Sequence, residues 1–448
     1  MVKKTFRGGT HPPEFKLTSG VATTPLPVPE LIYVPIQQHI GAPGVPVVKK
    51  KDEVTVGQPL TQSGGFVSIP AHAPVSGVVK DVIPYANPVG KEMMTVVIET
   101  KDDGGDGKGE EDPNWADATP DVIRERVKNA GIAGMGGAAF PTHVKLSPPE
   151  AKPIDTVIIN GAECEPYLTS DHRLMLERAE DIVRGAMLVR KTVNAKKLFM
   201  AVEDNKPDAF ESLKKAAASL DSSIQVEMLP VKYPQGAEKQ LISALTGREV
   251  PPPPALPMDV GCVVQNVGSC VAIYEAVRWQ KPLIERYVTI TGSGVKKPTN
   301  VLAKIGTPLT YLIEAAGGYT DDAAKLIMGG PMMGNALWTD TVPVIKGTSG
   351  VLVLNKEQAI IGEEEPCIGC GRCVSVCPVF LLPTNIARLS ELERLEDADE
   401  LGVLECIECG SCTYICPAHR NLVQHIRFGK AAVMAAKRKA TTKKEKAA

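Results

Sequence analysis

The 448-residue chain is short of three things, and each shortage excludes a class of function. Charge of one sign is missing: 50 Lys and Arg stand against 52 Asp and Glu, a net of −2 at pH 7. A nucleic-acid binder draws its affinity from cations that displace the counterions of the phosphate backbone, so that class loses its main driving term. Aromatic residues make up only 4%, too few for a platform on which single-stranded bases stack. Long hydrophobic runs are missing as well, and no stretch approaches the ~20 apolar residues that span a bilayer. The opening "MVKKTFRGGTHPPEF" is basic with no apolar segment behind it. No signal peptide is expected, and the protein is expected in the cytosol.

Cysteine, by contrast, is abundant and clustered. Eight of the 11 cysteines fall in "CIGCGRCVSVCP" (367–378) and "CIECGSCTYICP" (406–417). In a long cytosolic chain such clusters read as metal ligands and not as disulfides. Both stretches have the spacing C-x2-C-x2-C-x3-C-P. Zinc ribbons use two pairs separated by a longer loop. Three thiolates on a tight loop instead fit three corners of a [4Fe–4S] cubane, and the fourth ligates the other cluster of a two-cluster pair. One cluster then takes Cys367, Cys370, Cys373 and Cys416; the other takes Cys406, Cys409, Cys412 and Cys377. Gly369, Gly371 and Gly410 leave room for backbone N–H groups to approach the sulfur atoms. Two adjacent clusters make a one-electron wire, which needs a source and an exit.

The rest of the chain reads as a multidomain α/β protein of about three domains or more. Residues 1–100, rich in Pro and Gly with short β-type runs, predict an all-β sandwich. "AHAPVSGVVKDV" resembles a strand of a lipoyl- or biotinyl-type sandwich, without a counterpart of the modified lysine. "KDDGGDGKGEEDP" opens an acidic, Gly-rich linker (101–118), expected to be solvated. From 119 to 281 strands alternate with helices, which implies a mostly parallel sheet. Thr119 caps its first helix, Pro120 occupies the first turn and Gly131 ends it; one long helix is expected over 171–193 and another over 237–247. "PPPPALP" (251–257) reads as a stiff polyproline connection. Residues 282–355 contain a β-grasp unit, 356–430 the helical two-cluster domain, and 431–448 a basic tail expected to be disordered.

The source of electrons is sought in the α/β region. "AGIAGMGGAAFPTHVKL" (130–146) is a glycine-rich loop in which Gly134, Gly136 and Gly137 would let backbone amides approach a phosphate or a flavin ring. It does not follow a strand, so it is no dinucleotide fingerprint. "NGAECEPY" (160–167) follows a strand and carries Asn160, Glu163 and Glu165, which could equally cap the next helix. "YPQGAEKQL" and "VVQNVGS" repeat the pattern at two more strand-to-helix junctions, and three junctions on one rim suit a nucleotide or flavin.

These four stretches resemble the flavin- and NADH-binding subunit of respiratory complex I: "AFPTHVK", "NGAECEP", "YPQGAEK" and "QNV" match its motifs over about residues 119–281. The whole layout, from "FRGGTHP" to the two ferredoxin-type motifs, resembles the C subunits of Rnf electron-transport complexes. That resemblance implies a lipoyl-like sandwich, an FMN- and NADH-binding α/β domain, an SLBB-like β-grasp unit and a ferredoxin-like domain with two [4Fe–4S] clusters. It implies FMN against Gly134, Gly136, Gly137, Lys145, Asn160, Glu163, Gly236 and Asn266, with NADH near Phe140, Glu165 and Glu238. Hydride would pass directly between NADH and FMN, with no catalytic acid or base from the chain. It also implies a peripheral subunit on the cytoplasmic face of the membrane, exchanging electrons with NAD(H) and with ferredoxin-linked partner subunits, with no transmembrane segment of its own. Met135, Ala162 and Ala237 depart from the complex I motifs, in place of Arg, Asp and Glu, and Cys164 takes a Ser position. Ala162 and Ala237 leave open a flavin-free relay subunit. A cobalamin reductase of microcompartments shares the later domains but lacks the first sandwich.

Overall fold

The computed structural model describes residues 4–102, 105–359 and 362–447. Residues 103 and 104 of the expected linker, 360 and 361 of the expected cluster domain, and the extreme terminal residues lie outside the described residues. The chain divides into two compact units, one of Glu14–Leu229 with Pro257–Ala359, the other of Met1–Pro13, Pro230–Leu256 and Ile360–Ala448.

In the larger unit, Val, Ile and Thr alternate through the first hundred residues and build an antiparallel sheet. Its strands run in the order Leu31–Pro35, Glu92–Asp102, Ser76–Ala86 and Glu53–Val54. Ile32, Val34, Val79, Val96 and Ile98 point inward and are buried. A bulge falls at Ser76/Gly77, where an added Cβ would lie 2.1 Å from the Glu99 carbonyl oxygen, so only glycine fits.

The α/β part is a parallel four-stranded sheet ordered Gln225–Leu229, Lys197–Glu203, Thr156–Gly161, Cys262–Asn266. Its central strand, "TVIING", is apolar on both faces because helices cover both. Val157, Ile158 and Ile159 are fully buried, each contributing roughly 1.5–3 kcal/mol by leaving water. The helices Ala179–Thr192 and Val267–Trp279 cross at Gly185, where an added Cβ would sit within 1.9 Å of the Cys270 carbonyl oxygen. Cys270 is a packing residue whose thiol burial pushes far above the ordinary range. Thr119 caps Pro120–Asn129 as expected, accepting from the Val122 amide.

Three expectations for this unit need correction. The long helix over 171–193 is two helices, Ser170–Glu177 and Ala179–Thr192. Arg178 leaves helical geometry between them (φ −134°) and its guanidinium pairs with Asp181 and Glu275. The acidic linker, where described, is not free in solvent. Gly109 and Asp112 amides donate to the Trp279 and Arg278 carbonyls, Asp112 pairs with Arg126, and Lys108 lies over the Trp279 ring. Finally, the β-grasp sheet recruits a strand from the N-terminal region. Thr23–Pro25 pairs in parallel with Thr299–Lys304, which pairs antiparallel with Glu285–Thr291, itself parallel to Gly350–Asn355. The helix Leu309–Ala315 packs on this sheet and ends at Gly317 and Gly318, both at positive φ.

The smaller unit gathers three separate stretches. "FRGG" lies against the cluster region. The Gly9 amide donates to the Val376 carbonyl, Thr10 pairs with Tyr233, and a Cβ on Gly8 would lie 2.8 Å from the Cys377 carbonyl oxygen. Lys232 donates to the Phe6 carbonyl and lies over the Phe6 ring. The helix Glu238–Thr246 also groups with this unit. The proline run bends in place of extending, with the Ala255 amide donating to the Pro252 carbonyl. The expected disordered tail is a helix, Leu422–Ala447, because a Pro-free stretch of Ala, Lys and Arg consists of strong helix formers. It packs on Pro383–Glu391, where Gly429 admits the Ser390 side chain.

Candidate flavin and iron–sulfur sites

Two asparagines mark the rim of the parallel sheet. Asn160 and Asn266 end neighbouring parallel strands and are register partners, at the carboxyl edge where α/β sheets hold ligands. Asn266 caps the helix Val267–Trp279: its Oδ1 accepts from the Gly268 amide at 2.8 Å and its Nδ2 donates to the Asp171 carboxylate at 2.6 Å. Asn160 Oδ1 accepts from the Ala162 amide at 3.1 Å. The glycine-rich loop rests on Asn266 of this pair. Gly136 (φ +82°) approaches so closely that a Cβ would lie 2.7 Å from Asn266 Nδ2, whereas a Cβ on Gly137 would meet nothing within 4 Å. The loop is closed by the Gly134 amide donating to the Phe140 carbonyl at 2.7 Å, and Gly136, Gly137 and Ala138 face solvent. Lys145 Nζ donates to the Val264 carbonyl. The loop's base is fixed by Lys346, fully buried between the Pro70 and Gly131 carbonyls, whose ammonium burial pulls down to about 7.

The "NGAECEPY" loop is pinned by two lysines that sequence reasoning missed, one half-buried and one buried. Lys16 donates to the carbonyls of Glu163, Glu165 and Leu168 at 2.7–2.8 Å, and burial lowers its pKa. Lys206 donates to the Ala162 carbonyl at 2.7 Å and pairs with Glu203. These bonds hold Glu163 (φ +47°) and Tyr167 (φ +69°) in the left-handed region. Glu163 caps the helix Ser170–Glu177, accepting from the Asp171 and His172 amides at 2.7 and 3.0 Å. Glu165 reaches the "GGPMMG" loop and accepts from the Met332 and Met333 amides, while burial raises its carboxyl to about 7. Asp171 is half-buried, and desolvation together with the nearby Glu163 charge raises its pKa. Arg286 was also missed. It begins the run "RYVTIT" on the same strand face as buried Val288 and Ile290, and a charge on the core face of an alternating strand was the available signal.

Gly236 and Glu238 fall in the smaller unit, next to the helix Glu238–Thr246. Of the three junctions read from sequence, two therefore meet within the larger unit. An exposed loop whose glycine seats on an asparagine, with open backbone beyond it, fits a bound phosphate or flavin edge.

In the smaller unit, Gly369, Gly371 and Gly410 all adopt positive φ. Backbone amides point at sulfur: Gly369 to Cys367, Glu408 to Cys406 and Leu381 to Cys377, at 3.3–3.5 Å. Cys367 and Cys373 share the Thr384 hydroxyl. Cys377 lies within electrostatic reach of Cys406, Cys409 and Cys412, as the crossed ligand set requires. The amides aimed at these sulfurs suit the thiolate ligands of a cluster; burial lifts the Cys406 and Cys412 thiols to about 11 and about 12. Among the described residues no three metal-binding side chains converge on one ion. Tyr233 donates to the Cys409 carbonyl at 2.7 Å and Gln240 to the Pro378 carbonyl at 3.0 Å.

Comparison with known proteins finds four domain families along the chain. The RnfC barrel sandwich hybrid domain matches residues 4–103, the Nuo51 FMN-binding domain 127–275, the SLBB domain 287–336 and the 4Fe–4S dicluster domain 359–417. The RnfC-type component of the Na+-translocating ferredoxin:NAD+ oxidoreductase complex of Acetobacterium woodii is 48% identical over 97% of this chain and 98% of its own. The chain belongs to the RnfC family. Another RnfC relative, from the proton-translocating ferredoxin:NAD+ oxidoreductase complex of Clostridium ljungdahlii, is 46% identical over 95% of this chain and 93% of its own. The corresponding RnfC protein of the ion-translocating oxidoreductase complex of Rhodobacter capsulatus is 42% identical over 95% and 82%. An NAD+-reducing [NiFe]-hydrogenase, 20% identical with a TM-score of 0.51 over 71% of this chain and 67% of its own, shares the fold. As an RnfC member the chain is an oxidoreductase subunit of an electron-transport complex, with FMN and [4Fe–4S] clusters as cofactors. Among the described residues no helix is long and apolar enough to cross a membrane.

Proposed function

We propose that the chain is the NAD(H)-reactive subunit of its complex, seated on the cytoplasmic side of the membrane against partner subunits that deliver or accept single electrons and connect to ferredoxin. FMN, when bound, takes a hydride from a nicotinamide and passes electrons on singly to iron–sulfur clusters. The observation that carries this reading is the register pair Asn160 and Asn266 beneath a glycine-rich loop whose backbone is open at Gly136 and Gly137.

Gly134, Gly136, Gly137, Lys145, Asn160 and Asn266 hold the flavin in this reading, and Phe140 and Glu165 flank the nicotinamide. Glu163 acts by shaping the rim, since its carboxylate caps the helix Ser170–Glu177. Ala162, which motivates the flavin-free alternative, works through its backbone: its amide and carbonyl meet Asn160 and Lys206. An Asp side chain is not needed for that, which favours the flavin-bound reading. Cys367, Cys370, Cys373 and Cys416 hold one cluster, and Cys406, Cys409, Cys412 and Cys377 the other. The test is flavin and iron analysis of the anaerobically purified chain with NADH added; iron without flavin, and no NADH response after FMN is supplied, would leave the relay reading.

A further inference from the structure

A buried cation lies under the glycine-rich loop and comes from outside the FMN-binding domain match. Arg286 is the second residue of the β-grasp strand Glu285–Thr291, beyond residue 275 where that match ends and before residue 287 where the next begins. It is only 5% exposed. Its Nε donates to the Thr348 carbonyl at 3.0 Å and its Nη1 lies against the sulfur of Met135, inside the loop. A Cβ on Gly268 would meet Asn266 Oδ1, the Met135 sulfur and Arg286 Nη1, all within 3.6 Å. Asp171, bonded to Asn266, attracts the guanidinium. Met135, Asp171, Gly268 and Arg286 line one cleft. Gly136 thus packs on Asn266, Asn266 is bonded to Asp171, and the Asp171 carboxylate acts on Arg286 through its charge and not through an ion-pair contact.

A guanidinium is expensive to bury, and a single carboxylate seldom offsets the cost of removing both from water. Packing does not require it here, because Met135 and Leu174 on the same wall show that an apolar side chain would serve. A retained charge beneath a cofactor loop acts on that cofactor's electronics.

We propose that Arg286 and Asp171 are the charged pair that sets the redox balance of bound FMN, Arg286 favouring the reduced, more negative flavin and Asp171 opposing it. Arg286 is a positioning and electrostatic residue, not a catalytic one. The proposal rests on the reading of the glycine-rich loop as the FMN site.

The test is the midpoint potential of FMN in the holoprotein, titrated with redox dyes, for the full chain and three variants. Arg286→Gln should lower the preference for reduced over oxidised FMN at least ten-fold, equal to ~30 mV for a two-electron couple. Arg286→Lys should restore most of it. Asp171→Asn, nearly isosteric, should shift the potential upward and keeps the test decisive if Arg286→Gln fails to fold. An unchanged potential in Asp171→Asn, or shifts of the same sign in both charge-removing variants, would overturn the proposal. Gly136→Ala serves as the control on the underlying reading. If it leaves FMN affinity intact, the site assignment is wrong; if it weakens FMN while Arg286 and Asp171 variants leave the potential untouched, only the charge-pair proposal fails.

Discussion

Replacing Gly136 by Ala tests the site with one methyl group. Two costs follow from the structure. Gly136 sits at φ +82°, and an L-residue in the left-handed region costs roughly 1–2 kcal/mol. Its Cβ would then lie 2.7 Å from Asn266 Nδ2, so the amide must swing away from the Asp171 carboxylate it holds at 2.6 Å. A hydrogen bond to a charged group contributes ~1.5–3 kcal/mol. If most of this falls on the loop conformation that receives FMN, affinity drops by about two orders of magnitude, since 1.4 kcal/mol is about ten-fold. The loop surface is exposed, so the thermal midpoint should move little. Gly137→Ala is the matched control, because its Cβ would meet nothing within 4 Å. Fluorescence titration of FMN into flavin-stripped protein reads both. Equal affinities for the two variants would refute the reasoning.

The crossed ligand set predicts non-additive losses: Cys377→Ala should cost about four irons per chain, adding Cys406→Ala should cost no more, and adding Cys370→Ala should remove the remainder, all read by iron analysis and electron paramagnetic resonance. Glu165, whose carboxyl burial raises from 4.5 to about 7, should weaken the fold as pH rises. The folded state holds its proton more tightly than the unfolded chain, so the penalty is absent below the unfolded pKa near 4.5, grows between 4.5 and 7, and is complete above 7. Glu165→Gln should therefore gain stability relative to the parent only at the alkaline end, by about 3 kcal/mol, and a pH-independent difference in urea melts would contradict this. Gly185→Ala drives a Cβ into the Cys270 backbone and should cost about 3 kcal/mol or more in thermal unfolding, as overpacking against a rigid helix does.

What could be read from sequence was whatever is encoded locally. The cysteine spacing names its cofactor because three ligands sit on one tight loop, and Asn160 and Asn266 were found because strand-to-helix junctions are local events. The misses share a different cause. Lys16 meets Glu163 and Leu168 across about 150 residues of chain, and no periodicity near Lys16 reports that partnership. The "FRGG" glycines open the chain with no local signal of a partner, yet the close approach of Gly8 is to the backbone of Cys377. The helix over 171–193 kept its apolar period through Arg178, where the chain breaks and the guanidinium pairs with Asp181 and the distant Glu275. Arg286 was legible only as an oddity, a charge on a strand face otherwise filled with Val and Ile. Its meaning required knowing that Met135 lies opposite.

The central claim is that flavin and clusters in this chain form one path that NADH can enter. It is tested most directly by purifying the whole chain without oxygen and recording its visible spectrum with iron and flavin content, before and after NADH. The account predicts bound FMN, about eight irons for two clusters, and bleaching of both flavin and cluster absorbance on adding NADH. Iron without flavin, and a spectrum that NADH leaves unchanged even after FMN is supplied, would contradict it.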